Sequence, residues 1–130
     1  MASPGETDLD KMLATLRVER RPGVFTYAAV RAPASELLAA AHGMVTEGDL
    51  TTLVLPVVAA ERAGLPVELE MAWLSLTVRS SLEAVGLTAA FSATLGKAGI
   101  PCNVLAGFHH DHILVPVDRA QQAIDVLMVR

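Results

Sequence analysis

The sequence predicts an α+β protein built from two ferredoxin-like (βαββαβ) subdomains in tandem, with edge strands that the two halves share or swap. A shift of 60 positions aligns residues 53–63 with residues 113–123 without a gap, which indicates an internal repeat. The order strand, helix, strand, strand, helix is also predicted twice along the chain. We place the subdomains at residues 8–66 and 67–130, with a flexible N-terminus over residues 1–7.

The first half shows regular apolar patterns that glycine and proline separate. Residues 24–30 have the β-branched and aromatic content of a buried strand, and the apolar spacing after Thr7 and after Ser35 is that of helices. Gly43 is expected to give the second of these helices a left-handed cap. The predicted elements are a helix after Thr7, a strand over 24–30, a helix over 36–41, a hairpin with arms 44–47 and 51–55, and a helix over 57–63.

The second half repeats this order with longer elements. Its first strand, residues 69–79, changes its apolar phase near Trp73, which indicates either a bulge or a strand whose two ends pack on different partners. Ser80 with Glu83 has the spacing of a capping box, and Asp118 is expected to cap the last helix in the same way. The other predicted elements are a helix ending at Gly99, strands over 100–108 and 112–115 with a tip at 109–111, and a last helix that buries Ala120, Ala123, Ile124 and Leu127.

The second half needs a closing strand that its own sequence does not supply, because the last predicted helix extends to the final residues. We therefore expect that this strand is borrowed. Residues 17–21, residues 67–71 and a partner chain are the three alternatives. Such sharing would join the halves into one cooperative body with a groove where they meet. Grooves of this kind are preferred places for small ligands.

Composition and charge exclude several classes of function. The net charge is −4 and the ten basic residues are scattered, so nucleic-acid binding is not expected. Hydrophobic residues make up 52% of the chain, but the richest stretch, residues 50–60, is too short to span a membrane. The N-terminus lacks the pattern of a secretory signal, so the cytoplasm is the default location. No cofactor-binding or catalytic motif occurs, and the single cysteine, Cys102, is expected to be an inert core residue.

The second half contains segments that resemble the small tandem ACT-domain proteins. These segments are Gly86-Leu87-Thr88, then Leu95, then Gly99-Ile100-Pro101-Cys102-Asn103-Val104, and then residues 108–116. Similar units occur in the arginine-sensing receptors of animal cells and at the regulatory ends of aspartate kinases. The resemblance implies regulatory, allosteric binding of an amino acid at the interface between the two subdomains, without catalysis. We also expect a homodimer.

The resemblance also implies where the ligand binds. Gly86 stands at the mouth of a helix, where backbone N–H groups and the helix dipole favour a carboxylate. Asp111, by its position in the hairpin, would contact the ligand, and Asp111 or Glu83 would accept hydrogen bonds from an ammonium. The alternative role for Asp111 is to stabilise the turn. The predicted ligand-binding residues are Ser80, Ser81, Glu83, Val85, Gly86, Leu87, Asn103, Phe108, His110, Asp111 and His112.

Two other functions are open at this point. His109, His110, Asp111 and His112 carry groups that bind zinc, but alternation on a strand sends only two of them to each face, so no metal site is expected. The second alternative is a structural interaction module, in which exposed sheet edges pair to form a dimer and no ligand binds. Under either function Trp73 is expected to be a core residue at the seam between the halves, and stacking on a ligand is the alternative role for it.

Overall fold

The structure of this protein is a computed structural model that describes residues 14–77 and 87–128. These residues form a seven-stranded sheet in which the pairings are antiparallel. The strands are β1 (Arg17–Arg20), β2 (Phe25–Arg31), β3 (Gly43–Glu47), β4 (Leu50–Pro56), β5 (Met71–Thr77), β6 (Asn103–Ala106) and β7 (Asp111–Pro116). The helices are α1 (Ser35–Ala40), α2 (Val57–Arg62), α3 (Leu87–Lys97) and α4 (Ala120–Met128), the last preceded by a 3-10 turn at Val117–Arg119.

The predicted order of strand, helix, strand, strand, helix is thus confirmed in both halves. The capping box of Ser80 with Glu83 and Gly86 lie outside the described residues. So does the helix predicted after Thr7, except for its end at Ala14 and Thr15, which are helical. In the part of the chain that the structure describes, no helix is long and apolar enough to cross a bilayer.

Strand β5 belongs to both halves of the sheet. The strand order is β3-β4-β2-β5-β7-β6, and β1 also pairs with β5. For the first half β5 is the closing strand, since Met71 at its start pairs with Phe25 of β2. For the second half it is the first strand, with β7 on one side and β1 on the other, where Val18 lies opposite Leu76. The borrowed closing strand of the second half is therefore β1, and the shared-edge arrangement is confirmed.

Trp73 lies in β5 at the point where the apolar phase of the sequence changes. The register of β5 with β7 is continuous, so no bulge interrupts this pairing. Both faces of the strand are instead covered. Ala72, Leu74 and Leu76 pack beneath α3 and α4, while Met71 and Trp73 belong to a cluster on the opposite face. The two alternatives predicted for β5 were a bulge and a strand whose two ends pack on different partners, and the structure shows the second.

Separate apolar clusters stabilise the two faces of the sheet. The helices of the second half cover a large cluster, and those of the first half cover a small one that includes Leu53, Leu55 and Ala60. The face turned away from the helices carries a third cluster, which we call the inner cluster: Phe25, Val54, Met71, Trp73 and Leu114. As predicted, the last helix buries Ala120, Ala123 and Leu127, and Ile124 packs against them partly buried.

Two expectations about helix ends were wrong. Gly43 is the first residue of β3 and does not have a left-handed conformation; α1 ends at Ala40, and the next residue, Ala41, is extended with ψ 137°. Asp118 does not act as the cap, because it lies inside the 3-10 turn Val117–Arg119 and the N-cap position is occupied by Pro116.

The second hairpin is shorter than predicted. Strand β6 covers only four residues, and β7 begins at Asp111, so the tip of the hairpin is residues 107–110. The tip closes through a hydrogen bond of 2.8 Å from the Gly107 N–H to the His110 carbonyl oxygen. Asp111 is therefore a strand residue, not the end of the tip. This change decides which face of the sheet its side chain occupies.

Candidate functional site

The two strands at opposite ends of the sheet, β3 and β6, face each other across a pocket. A Cβ placed on Gly43 would lie 3.4 Å from Leu105 Cδ1, so the sheet curls until its ends meet. The pocket has a volume of about 420 Å³, and its described lining includes Arg21, His42 and Gly43 together with Trp73, Leu105 and His112. We call it the inter-half pocket. The halves thus share one continuous sheet, yet the inner cluster does not fill the groove between them.

Arg21 supplies a positive charge to the pocket. Its backbone N–H donates a hydrogen bond of 2.8 Å to the Trp73 carbonyl oxygen, which holds the residue beside β5. The guanidinium carbon lies 4.1 Å from the centre of the Trp73 ring, in cation–π geometry. Among the described residues, the side-chain ion pair joins Arg31 to Asp49 and does not involve Arg21. The guanidinium of Arg21 is therefore positioned by an aromatic ring and not neutralised by a carboxylate in that part of the chain.

His42 follows α1 and lies against Arg21. Its Nδ1 is 2.9 Å from Nη1 of Arg21. A guanidinium only donates, so Nδ1 is the acceptor and the ring proton lies on Nε2. Burial lowers the pKa of His42, and the charge of Arg21 lowers it further, so the ring is neutral at pH 7. Contacts with Phe25 and Trp73, at 4.9 and 5.9 Å between ring centres, fix its orientation.

His112 occupies the matching position on β7. Its Nδ1 lies 2.8 Å from Ser75 Oγ and 3.3 Å from Trp73 Nε1. Because an indole N–H only donates, Nδ1 is again the acceptor and Nε2 carries the proton. Burial lowers the pKa of His112, the charges of Arg21 and His110 lower it further, and Asp111 acts in the opposite direction.

The site thus combines one permanent cation with two neutral imidazoles of the same tautomer. Arg21, His42 and His112 each retain N–H groups, and such donors bind carboxylates and other oxyanions, most strongly when one donor is charged. Val45 and Leu105 give it apolar edges, because strand alternation places their side chains on the face of the inner cluster. The arrangement suits a small molecule with a carboxylate at one end and an apolar body.

The structure brings only part of the predicted ligand set to this pocket. His112 lines it, whereas Asn103 begins β6 and its side chain hydrogen-bonds to Tyr27. Asp111 lies opposite Leu76 and, by strand alternation, shares the face of Ile113 beneath the helices.

The other predicted residues are separate from the inter-half pocket. Phe108 is 97% exposed and His110 is exposed in the hairpin tip, while Leu87 begins α3 and packs on the second-half cluster. Ser80, Ser81, Glu83, Val85 and Gly86 lie outside the described residues. The ligand roles of these residues and of Asp111 stay predictions.

Arg21 and His42 are pocket residues that the sequence did not indicate. Trp73 lies at the seam between the halves, as the sequence predicts, and it both packs in the inner cluster and contacts Arg21 in the pocket. Arg21 follows a strand and His42 precedes one, and neither belongs to a recognisable motif. The only signal was the change of apolar phase at Trp73, which marked the strand that both halves share.

The structure gives no support to metal or thiol chemistry in its described part. Within residues 14–77 and 87–128, no group of three or more His, Cys, Asp or Glu side chains is arranged to hold a metal. Burial raises the pKa of Cys102, and a hydrogen bond with Ser92 only partly offsets it, so the thiol is protonated at pH 7.

Comparison with known proteins agrees with this architecture. Residues 4–72 and residues 68–128 each match the ACT domain. A Vibrio cholerae protein, described as a protein of unknown function and possible transport protein, is 38% identical over 95% of each chain, with a TM-score of 0.86. The search of curated proteins found no match.

More distant structures share the fold. An Agrobacterium tumefaciens protein is 17% identical over 86% of each chain, with a TM-score of 0.62. The aspartate kinase of Clostridium acetobutylicum is 11% identical over 87% of this chain and 33% of the kinase, with a TM-score of 0.63. The duplicated architecture and the two matched regions lead to one conclusion: the chain belongs to the ACT domain family and contains two ACT domains in tandem.

Proposed function

We propose that this protein is a non-catalytic regulatory protein that binds a free amino acid or a similar small carboxylate in the inter-half pocket. ACT domains are in general regulatory modules that bind small molecules. The observation that carries the proposal is the guanidinium of Arg21, held 4.1 Å from the Trp73 ring centre in a pocket between the two domains.

The size and chemistry of the pocket fit such a ligand. Its volume of about 420 Å³ lies within the usual range for small-molecule sites, roughly 300–1,000 Å³. A carboxylate accepts two parallel hydrogen bonds from a guanidinium, and the Nε2–H groups of His42 and His112 offer further donors. The three donors are held by other side chains before a ligand arrives, which lowers the entropic cost of binding.

The position of the pocket suggests how binding would regulate. Its lining comes from β3 at one end of the strand order and from β6 and β7 at the other. A ligand held by Arg21, His42 and His112 at once would favour the curled sheet over more open arrangements. Ligand binding shifts such an equilibrium only by the difference in affinity between the two states.

Calorimetric titration of the full chain with the twenty amino acids tests the proposal. We expect at least one of them to give heat and to raise Tm. Arg21→Met should weaken that affinity about 10- to 100-fold, because a hydrogen bond to a charged group contributes about 1.5–3 kcal/mol. Arg20→Met is the matched control, since Arg20 is exposed on β1 and does not line the pocket in the described residues. Absence of heat together with an unchanged Tm for all twenty would contradict the proposal.

A second candidate is a dimerisation module that binds no ligand. The observation in its favour is the exposure of Met44 and Val45, 56% and 49%, on the edge strand β3. Light scattering after gel filtration, with Met44→Lys as the test variant, distinguishes the two. A homodimer that Met44→Lys dissociates, in a protein that no amino acid stabilises, would favour this candidate.

A further inference from the structure

The described lining of the inter-half pocket presents donors, and its side-chain acceptors are already engaged. Arg21 only donates. Nδ1 of His42 accepts from Arg21, and Nδ1 of His112 accepts from Trp73, so each imidazole offers only its Nε2–H to a ligand. The Trp73 N–H is itself used in the bond to His112. The other described lining residues have apolar side chains or none.

An α-ammonium therefore lacks a suitable partner among these residues. It needs acceptors, preferably charged ones, and the acceptors left in the described lining are neutral backbone carbonyls. The positive charge of Arg21 opposes a second cation in the same pocket. Asp111 acts electrostatically on His112, but strand alternation places its side chain on the other face of the sheet.

We infer that the pocket recognises its ligand through the carboxylate and an apolar body. On this inference, 2-oxo and 2-hydroxy acids with apolar side chains bind there at least as tightly as the amino acids with the same side chains. This inference rests on the proposed function and names the class of its ligand. The apolar body is expected because Val45 and Leu105 line the pocket, and strand alternation places both side chains on the face of the inner cluster. The carboxylate is expected to pair with Arg21, and the α-substituent is not required to be charged.

Matched sets of three compounds test the inference by calorimetry at pH 7.5. Each set contains an apolar amino acid, the 2-oxo acid with the same side chain, and the amine that lacks the carboxylate. Valine, leucine and phenylalanine provide three such sets. We expect each 2-oxo acid to bind at least as tightly as its amino acid, and the amines to give no heat. Arg21→Met should weaken both kinds of acid about tenfold or more, and Arg20→Met neither.

The outcomes separate this inference from the proposal on which it rests. An amino acid that binds more than about tenfold more tightly than its 2-oxo acid, a gap of about 1.4 kcal/mol, overturns the inference and leaves the proposed function standing. Binding of the amines overturns it as well, because a carboxylate would then be unnecessary. Failure of all these apolar acids to bind overturns the inference, and the proposed function is overturned as well when none of the twenty amino acids binds. Unequal loss of affinity for the two acids in Arg21→Met shows that they do not share the Arg21 site.

Discussion

The indole nitrogen of Trp73 lies 3.3 Å from Nδ1 of His112, on the strand paired with its own. The same indole ring supports the guanidinium of Arg21 on its face, at 4.1 Å from the ring centre. One side chain in the strand shared by both ACT domains therefore positions the cation of the pocket and fixes the tautomer of one of its imidazoles.

Replacement of Trp73 by phenylalanine tests this relationship. Trp73→Phe keeps an aromatic ring in the inner cluster but removes the N–H and weakens the cation–π contact. We expect the free energy of unfolding to fall by about 1–3 kcal/mol, through the lost bond and the lost volume. The ¹⁵N chemical shifts of His112 should show the other tautomer or a mixture. Tyr27→Phe, which removes a different bond beside the inner cluster, should leave the His112 tautomer unchanged.

We expect the protein to become less stable in mild acid because of the imidazoles of His42 and His112. Both pKa values are lowered in the folded state, mainly by burial, so the unfolded chain binds more protons. The stability that the two neutral rings contribute to the fold is fully present above their unfolded-state pKa of about 6.5. It is lost as the pH falls through their lowered folded-state pKa values. Urea unfolding between pH 5 and pH 8 measures this dependence.

Variants assign that pH dependence to the pocket. His42→Gln and His112→Gln should each reduce the loss of stability between pH 7 and pH 5. His109→Gln is the control, because His109 is exposed in the hairpin tip. A stability that rises on acidification, or an equal effect of all three variants, is the result this account excludes.

Gly107 and Gly96 form a pair of glycines with opposite predictions. A Cβ on Gly107 would lie 2.8 Å from the His110 carbonyl oxygen and 3.0 Å from His112 Nε2. The backbone oxygen cannot move away without opening the hairpin tip, so Gly107→Ala should lower the free energy of unfolding by about 1–3 kcal/mol and weaken ligand binding. Gly96 lies in α3 with no atom within 4 Å of such a Cβ. Gly96→Ala should therefore stabilise the protein by about 0.5–1 kcal/mol. Urea unfolding measures both variants, and an equal change in the free energy of unfolding for Gly107→Ala and Gly96→Ala would contradict this prediction.

Asp111 separates two accounts of ligand recognition. The resemblance of the sequence implies that its carboxylate contacts the ligand, whereas a pocket that recognises the carboxylate of its ligand does not need it. We expect thermal stabilisation by a 2-oxo acid to survive in Asp111→Ala, with little change in the Tm of the free protein. If amino acids no longer stabilise Asp111→Ala while 2-oxo acids still do, Asp111 is the acceptor for an ammonium.

The fold could be predicted from the sequence because its signals are local and repeated. Proline and glycine mark the same boundaries in both halves, and β1 was among the three candidates for the missing strand. The errors at Gly43 and Asp118 arose where a strand or a proline provided a helix boundary that capping patterns do not describe.

The pocket could not be predicted in the same way. Arg21 and His42 are 21 residues apart, and Trp73 and His112 are 39 apart. They meet only because β5 is shared and the sheet curls, and these are tertiary properties. The donor character of the pocket also depends on which nitrogen of each imidazole accepts a hydrogen bond. Only the contact distances in the structure show which nitrogen this is.

A crystal structure of the protein with a bound apolar 2-oxo acid tests the central claim most directly. The account predicts that the carboxylate lies within hydrogen-bond distance of the Arg21 guanidinium, with Nε2 of His42 or His112 as a further donor and the apolar chain towards Val45 and Leu105. A ligand bound elsewhere, with the guanidinium of Arg21 making no contact to it, would contradict the account.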